Sequence, residues 1–437
     1  MEFINGFSKY TSNEKLKKIA SLFPDPEKAL ADFKSYMHQE EEKQKIFTEL
    51  TENAITNFHL PFSMAPNFLI NGQLYHVPMV IEESSVVAAA SKSAKFWARH
   101  GGFHCEVMQT EKTGQVHFLW NGNQTVLHDS FAELKQKIYK ESGYIAERMK
   151  NRGGGIKDIQ LMDKTSDIPN YYQLHGVFET ADAMGANFIN SCLEQFAVSL
   201  KNFFQGNDDM IVIMSILSNY TPNCIVKCHV ETPVDNLQHF SDELPAEAFA
   251  QRFYTAVRIA NTDTSRAVTH NKGIFNGMDA VLLATGNDWR AVEAGGHAFA
   301  AKEGKYKSLT RVSMDEHVFK YELEVPLALG TKGGITNIHP LVKRSLEILG
   351  NPGAKELMGI VAAAGLANNF SALASLVTSG IQKGHMKMHL SNILRHFELD
   401  DLAMEEVKKH FKEKPVSFAA VKEYIGKLKV KNQDKSP

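Results

Sequence analysis

The period of apolar and polar positions changes several times along the chain, and each change marks an element. The first fifty residues repeat at helical spacing with charges between ("NEKLKKIASLF", "EKALADFKSYMHQEEEKQK"), which predicts surface helices. "FLINGQLYHVPMVIEE" switches to two β-rich runs around Asn71-Gly72, a pair suited to a two-residue hairpin turn. "SSVVAAASKSAKFWARHGG" returns to helix, started by a serine cap and stopped by Gly101-Gly102, so Glu83 falls at a strand end just before a helix N-terminus. From about residue 104 to 220 the pattern gives strands "EVMQT" and "QVHFLW", one amphipathic helix from Ser130 to Lys150, a break at Gly153-Gly154-Gly155 and further strands. A helix from Asp182 to about Gln205 and the apolar strand "MIVIMSIL" close that stretch. Then come a helix from Ala246 to Ala260, with Pro245 suited to its first turn, the segment "THNKGIFNG", a strand-like "AVLLATGN" and a helix capped by Asp288. The tail past Gly380 is helical and Lys-rich, and Gly380 and Gly384 mark a hinge there. An α/β insert within a larger domain is the economical organisation.

Length and composition narrow this further. A chain of 437 residues holds two or three domains and a large core. Hydrophobic content of 43% and charged content of 22% are those of a globular protein, and a net charge of -2 offers no basic field for nucleic acid. Cys105, Cys192, Cys224 and Cys228 are too few for a disulfide scaffold, and Cys224 and Cys228 lack a second pair at zinc spacing; they read as reduced thiols of a cytoplasmic protein. The longest apolar run, Leu357 to Ala367, falls short of the ~20 residues of a membrane span, and the start lacks the order of a signal peptide.

Lys272, in "THNKGIFNG", sits among small and apolar residues. A Walker loop needs glycines before its lysine and Ser or Thr after it, so the following Gly273 excludes that reading. A Schiff-base lysine, a fixed cation for a developing oxyanion and a snorkelling surface lysine all remain open. Asp288 is placed to cap a helix, and Glu83 lies where α/β folds gather active-site groups. Two acids and a lysine drawn together would hold one another's charge. His385, in "KGHMKMHLSN", stands beside the hinge. No GxGxxG follows a strand, yet Met184-Gly185-Ala186 opens a helix where backbone N–H groups could meet an anion. Asp182 would cap that helix rather than touch phosphate.

Taken together, "VPMVIEESSVVAAAS", "DAMGAN", "THNKGIFNGMDAVLLATGNDWRAVEAGGHAFA" and "GIQKGHMKMH" resemble class II 3-hydroxy-3-methylglutaryl-CoA (HMG-CoA) reductases, collinearly over nearly the whole chain. The resemblance implies an α+β fold: a large mixed helix and sheet substrate domain in two parts (1–108 and 221–379), an inserted small ferredoxin-like, non-classical Rossmann cofactor domain (109–220), and a helical C-terminal flap (380–437). It implies reduction of the thioester to mevalonate in two hydride steps with release of CoA, by homodimers whose active sites lie at the subunit interface; "TENAIT" at 51–56 resembles the dimer-forming segment. Carried over, Lys272, Asp288, Glu83 and His385 match the catalytic residues, with Lys272 as the alkoxide-stabilising cation and His385 as the acid for the CoA thiolate. Arg266 and Ser85 match the residues that hold the acyl carboxylate, while Asn219 and Asn276 match polar residues of the substrate pocket. Asp182, Met184, Gly185, Ala186 and Asn187 match the pyrophosphate turn. The chain departs from the family at Ser84, Thr56 and Asn368, where proline, glycine and glutamine are usual. Where NADH-preferring relatives carry an aspartate it has Ala146, followed by Arg148, Lys150 and Arg152, which favours the 2′-phosphate of NADPH over NADH. The competing readings are a Schiff-base lysine enzyme and a catalytically silent CoA-binding or nucleotide-binding module.

Overall fold

A computed structural model describes residues 3–205, 209–240, 243–315 and 317–378, together with 390, 393–394, 396–397, 399–411, 414 and 416–433 of the tail. Three short helices, α1 (Ser12–Ala20), α2 (Pro26–Ser35) and α3 (Glu41–Glu49), precede the hairpin β1 (Phe62–Ile70) and β2 (Gln73–Val80). Asn71 and Gly72 turn that hairpin with φ of 48° and 84°, the left-handed pair its two-residue turn requires. Next are α4 (Val86–Trp97) and β3 (His104–Val107).

The insert follows as β4 (Lys112–Trp120), α5 (Gln124–Glu141), α6 (Gly143–Lys150), β5 (Gly155–Asp163), β6 (Tyr171–Glu179), α7 (Ala186–Phe203) and β7 (Met210–Leu217). Its antiparallel sheet has the order β5-β6-β4-β7, the ferredoxin-like arrangement of a βαββαβ unit. Phe118, Trp120, Leu134, Tyr172, Phe178, Leu193 and Phe196 fill a core of its own between that sheet and its helices.

The chain then returns to the larger body with β8 (Ile225–Pro233), α8 (Ala246–Thr262), α9 (Thr264–Ala284), α10 (Trp289–Ala300), β9 (Thr310–Asp315), β10 (Val318–Pro326), α11 (Pro340–Ile348) and α12 (Ala354–Val377). A second antiparallel sheet runs β3-β8-β10-β9, so the strand before the insert pairs with the strand after it. α12 is apolar all round and packs on α9, α4 and β8. Among the described residues it is the one helix long and apolar enough to cross a membrane, and 78% of that stretch is buried in the core. In the tail, α13 (Asp401–His410) and α14 (Phe418–Gln433) share a small cluster around Val407, Phe411 and Val421.

Several elements differ from expectation. "AVLLATGN" is not a strand: α9 continues to Ala284 because it is buried on several sides, and a buried helix shows the same unbroken apolar run as a buried strand. The helix expected from Ser130 to Lys150 is two, α5 from Gln124 and α6, meeting at Ser142. Ser85 occupies the N-cap position of α4, but with φ of 78° its side chain makes no capping bond. The hinge at Gly380 and Gly384 lies outside the described residues.

Candidate active site

α9 carries Lys272 outward, and its Nζ donates to a carboxylate oxygen of Glu83, from the link between β2 and α4. The two side chains are 57% and 40% exposed. An ion pair that open stabilises a fold by at most about 1 kcal/mol, so stability alone does not account for its placement.

Beneath the lysine the structure is neutral, buried and hydrogen-bonded across elements, with His270 Nδ1 left without a partner. Asn368 Nδ2 donates to the Gly273 carbonyl at 2.6 Å, and Asn369 Nδ2 to the His270 carbonyl at 2.8 Å, so α12 grips α9 on both sides of Lys272. The Tyr321 hydroxyl donates to Asn369 Oδ1, and His270 Nε2 lies 2.6 Å from Thr310 Oγ1. Asn271 donates to the Lys307 carbonyl at 2.9 Å and accepts from the Leu309 N–H at 3.0 Å. Burial, aided by the positive charge of Arg266, holds the His270 imidazole down to about 3, so it is neutral at physiological pH. The shorter side chain at Asn368 reaches the backbone beside Lys272.

Asp288 caps α10, accepting from the Ala291 N–H at 3.2 Å and from Arg290 Nε at 3.3 Å. Its carboxylate is thus engaged by local partners, whereas Glu83 and Lys272 are the pair brought together from distant parts of the chain. His385 lies outside the described residues. Ser85, two residues from Glu83, keeps its hydroxyl out of the α4 cap. Arg266 stands in the first turn of α9, where partial burial pushes its guanidinium below the usual range without removing its charge. Asn276 is one turn beyond Lys272, on the same face.

Asn219 lines a cleft between the insert and the larger body, with Lys112, Met184 and Ala186 on one wall and Ala291, Val292 and Gly295 of α10 on the other. The turn expected to hold phosphate stands at this cleft. Gly185 has φ of 92°, and a Cβ there would lie 2.3 Å from Thr180 Cγ2, so both conformation and space demand glycine. α7 starts directly after it with no side chain capping its N-terminal N–H groups, the condition for receiving an anion; Ala186 and Asn187 form the first turn. Asp182 does not cap α7 as expected. Its carboxylate accepts from the Ala354 N–H at 2.8 Å, capping α12, and its carbonyl accepts from Thr331 N at 2.8 Å, which ties the turn to the larger body instead.

A second cavity beside the turn is lined by Arg152, Thr180, Asp182, Lys332 and Asn337, placing two cations near it. Ala146 is wholly buried in α6, so Arg152 is the residue of that basic stretch found in the cavity wall.

Two supports carried no readable signal. Lys112 opens β4 and is buried; Nζ donates to Thr180 Oγ1 at 2.5 Å and lies 3.4 Å from the Ala183 carbonyl, bracing the turn from below. Burial lowers its pKa, opposed by the nearby Glu179 carboxylate. Asn287 Oδ1 accepts from the Gly330 N–H at 2.9 Å, and a Cβ at Gly330 would lie 2.3 Å from Met184 N. The residue before Asp288 therefore reaches the phosphate turn through one glycine. A strand-end lysine and an Asn before a cap are ordinary in any sequence; only the fold shows what they touch.

An exposed cation paired with a carboxylate, in a chain that also carries a nucleotide-type cradle, suits an enzyme that stabilises negative charge on a substrate and binds a phosphate-bearing group. Comparison with known proteins narrows the class. The sequence model of hydroxymethylglutaryl-coenzyme A reductase matches residues 12–390. The HMG-CoA reductase of Archaeoglobus fulgidus is 35% identical over 400 residues, covering 89% of this chain and 86% of that one. A probable HMG-CoA reductase of Borreliella burgdorferi is 29% identical over 449 residues, covering 100% and 99%. Among solved structures, the reductase from Streptococcus pneumoniae superposes with a TM-score of 0.72 at 34% identity, covering 97% of this chain and 99% of that one. A class II reductase from the same organism, bound to NADPH in open conformations, gives a TM-score of 0.71 at 37% identity over 86% and 99%. The chain belongs to the HMG-CoA reductase family, in its class II branch.

Proposed function

We propose that this chain reduces the thioester of HMG-CoA to mevalonate, releasing CoA, with NADPH as the favoured reductant. The observation that carries the reading is the pairing of Lys272 with Glu83, exposed to substrate and braced from below by Asn368 and Asn369. The cradle suits a dinucleotide: a glycine that admits no Cβ, an uncapped helix N-terminus, and Arg152 and Lys332 beside it. The four-electron reduction needs two hydrides, so two cofactor molecules, bound one after the other, would each supply one.

Everything else falls to the chain's own residues. Lys272 holds its positive charge against the carbonyl oxygen and gives it a proton as negative charge builds there; Glu83, hydrogen-bonded to Nζ, is placed to return one. Arg266 and Ser85 hold the acyl carboxylate, the guanidinium supplying a two-pronged contact. Asn219 and Asn276 orient the thioester end, and Asp288 fixes the start of α10 that forms one wall of the cleft. His385 serves as acid for the departing CoA thiolate: a thiolate whose thiol has a pKa of about 8.5 takes a proton readily from an imidazolium with a pKa near 6.5. In this reading 1–108 with 221–379 is the substrate domain, 109–220 the cofactor domain and 380–437 a closing flap, in a cytoplasmic homodimer.

The test is oxidation of reduced cofactor by the purified protein with HMG-CoA added. We expect HMG-CoA-dependent consumption and a kcat/KM ratio for NADPH over NADH above one. No HMG-CoA-dependent loss with either cofactor overturns the proposal, and a ratio below one overturns the cofactor preference alone.

A further inference from the structure

Cys105 and Cys228 face each other across the neck of the insert. β3 is the last strand before the insert and β8 the first after it, and their register sets Cys105 directly opposite Cys228. Which kind of opposite pair they form can be read from Asn71. Its amide takes both backbone groups of Cys105, Nδ2 donating to the carbonyl and Oδ1 accepting from the N–H, each at 2.8 Å. Cys105 therefore exchanges no backbone hydrogen bond with Cys228, and the pair is of the non-hydrogen-bonded type. Such pairs hold their Cα atoms about 4.5 Å apart, within the roughly 4.4–6.8 Å that a disulfide spans. The two thiols contact one another, and the Cys105 thiol also donates to the Gly359 carbonyl of α12 at 3.3 Å.

The environments of the two thiols differ. Cys228 is completely buried, and burial pushes its thiol well above the usual range. Cys105, on the edge strand β3, is the partly exposed one of the two. Cys192 and Cys224 are buried elsewhere, the first in the insert's core and the second donating to the Leu327 carbonyl at 3.3 Å.

We propose that Cys105 and Cys228 are a thiol-exchange site that closes into a reversible cross-strand disulfide and ties together the two strands through which the insert is attached. With oxidised glutathione as oxidant, the Cys105 sulfur gives up its proton and attacks one sulfur of the glutathione disulfide. One glutathione leaves as thiolate, and a mixed disulfide forms. The Cys228 sulfur, already in contact, loses its proton, attacks the Cys105 sulfur and expels the second glutathione. Two protein thiols are oxidised, one glutathione disulfide is reduced to two thiols, and the two protons pass to the leaving thiolates. The link joins residues 105 and 228 around the whole insert, a loop long enough for a disulfide to raise stability appreciably.

The folded full-length protein is equilibrated in glutathione buffers of rising oxidised fraction, quenched by alkylation under denaturing conditions, and read by intact mass and peptide mapping. The expected product has lost two hydrogens, leaves Cys192 and Cys224 alkylatable, yields a peptide pair linked at Cys105 and Cys228, and melts higher than the reduced form by roughly 5 °C or more. Cys228→Ala should accumulate glutathione on Cys105, because the resolving thiol is gone, and Cys105→Ser should take up none. Four alkylatable thiols at the most oxidising ratio, or wild-type protein that stops at the glutathione adduct of Cys105, overturns the proposal. Because the readout is mass and melting, it is independent of whether the protein reduces HMG-CoA.

Discussion

The two halves of the site are built in opposite ways. Around Lys272 the charged groups are exposed and the supports buried and neutral: Lys272, Glu83 and Asp288 stand open, while His270, Asn271, Asn368 and Asn369 lie beneath. At the phosphate turn the charged support is buried and the neutral backbone faces the cleft: Lys112 is enclosed, and Gly185 and the bare N-terminus of α7 are presented. The difference fits the tasks proposed for them. A group that moves protons must meet the substrate with its own side chain, whereas a phosphate is bound well by N–H groups whose positions the fold fixes.

This contrast predicts unequal consequences. The largest is at the exposed cation. Lys272→Ala should lower kcat by about 10²–10³-fold or more, the range found when one oxyanion-stabilising donor is removed, while the unfolding midpoint stays where it is because the side chain is 57% exposed. Steady-state kinetics with a melting curve checks both parts, and unchanged turnover would return the lysine to a surface role. Asn369→Leu should act in the reverse sense. It removes the Asn369 amide from the His270 carbonyl and leaves the Tyr321 hydroxyl with Thr310 Oγ1 alone, and urea unfolding should show a loss of about 1–3 kcal/mol.

How much of this could be read from the chain depends on what each residue does. The hairpin at Asn71-Gly72, the cap at Asp288 and the helix opening at Gly185 were legible because local backbone demands select few residue types. Lys272 stood out as a lysine in apolar company, though its pairing with Glu83 came from resemblance, since no local rule joins residues so far apart. Lys112, Asn287 and Gly330 were silent because their meaning lies only in what the fold brings near. Asp182 was misassigned for a related reason. An acid before a helix start suggests a local cap, but the positive φ of Gly185 turns the chain so that Asp182 meets α12. α9 was misread at "AVLLATGN" because burial on several sides erases the polar stripe that separates helix from strand.

A third test sharpens the statement that the support under Lys272 is neutral. His270 has its pKa lowered from 6.5 to about 3 in the folded protein, so between those values the unfolded chain binds a proton that the folded chain refuses. Stability is therefore unaffected by this group above about pH 6.5 and declines as pH falls toward 3, with a slope of up to about 1.4 kcal/mol per pH unit. Urea unfolding of wild type and His270→Gln at pH 7.5, 6 and 5 should show the acid slope flattened in the variant. Equal slopes would mean that another group carries the acid sensitivity.

The smallest effect is expected at the phosphate turn, and it separates bracing from chemistry. Lys112 touches Thr180 and lies near the Ala183 carbonyl, so in the proposed reading it would act on the cofactor only by holding the segment that leads into Met184 and Gly185. Removing its charge while keeping its length, as in Lys112→Met, leaves the turn held by the Thr180 hydroxyl on the Ala183 carbonyl alone and loosens the segment that leads into the helix N-terminus. KM for NADPH should rise about 10-fold, equivalent to about 1.4 kcal/mol, with kcat within a few-fold of wild type. KM for HMG-CoA should change less, because Arg266 and Ser85, assigned to the acyl carboxylate, lie on α9 and at the start of α4, and of the assigned substrate residues only Asn219 shares the cleft with Lys112. A matching drop in kcat would show that Lys112 meets the reacting atoms themselves, and the contrast between an exposed chemical cation and a buried structural one would fail.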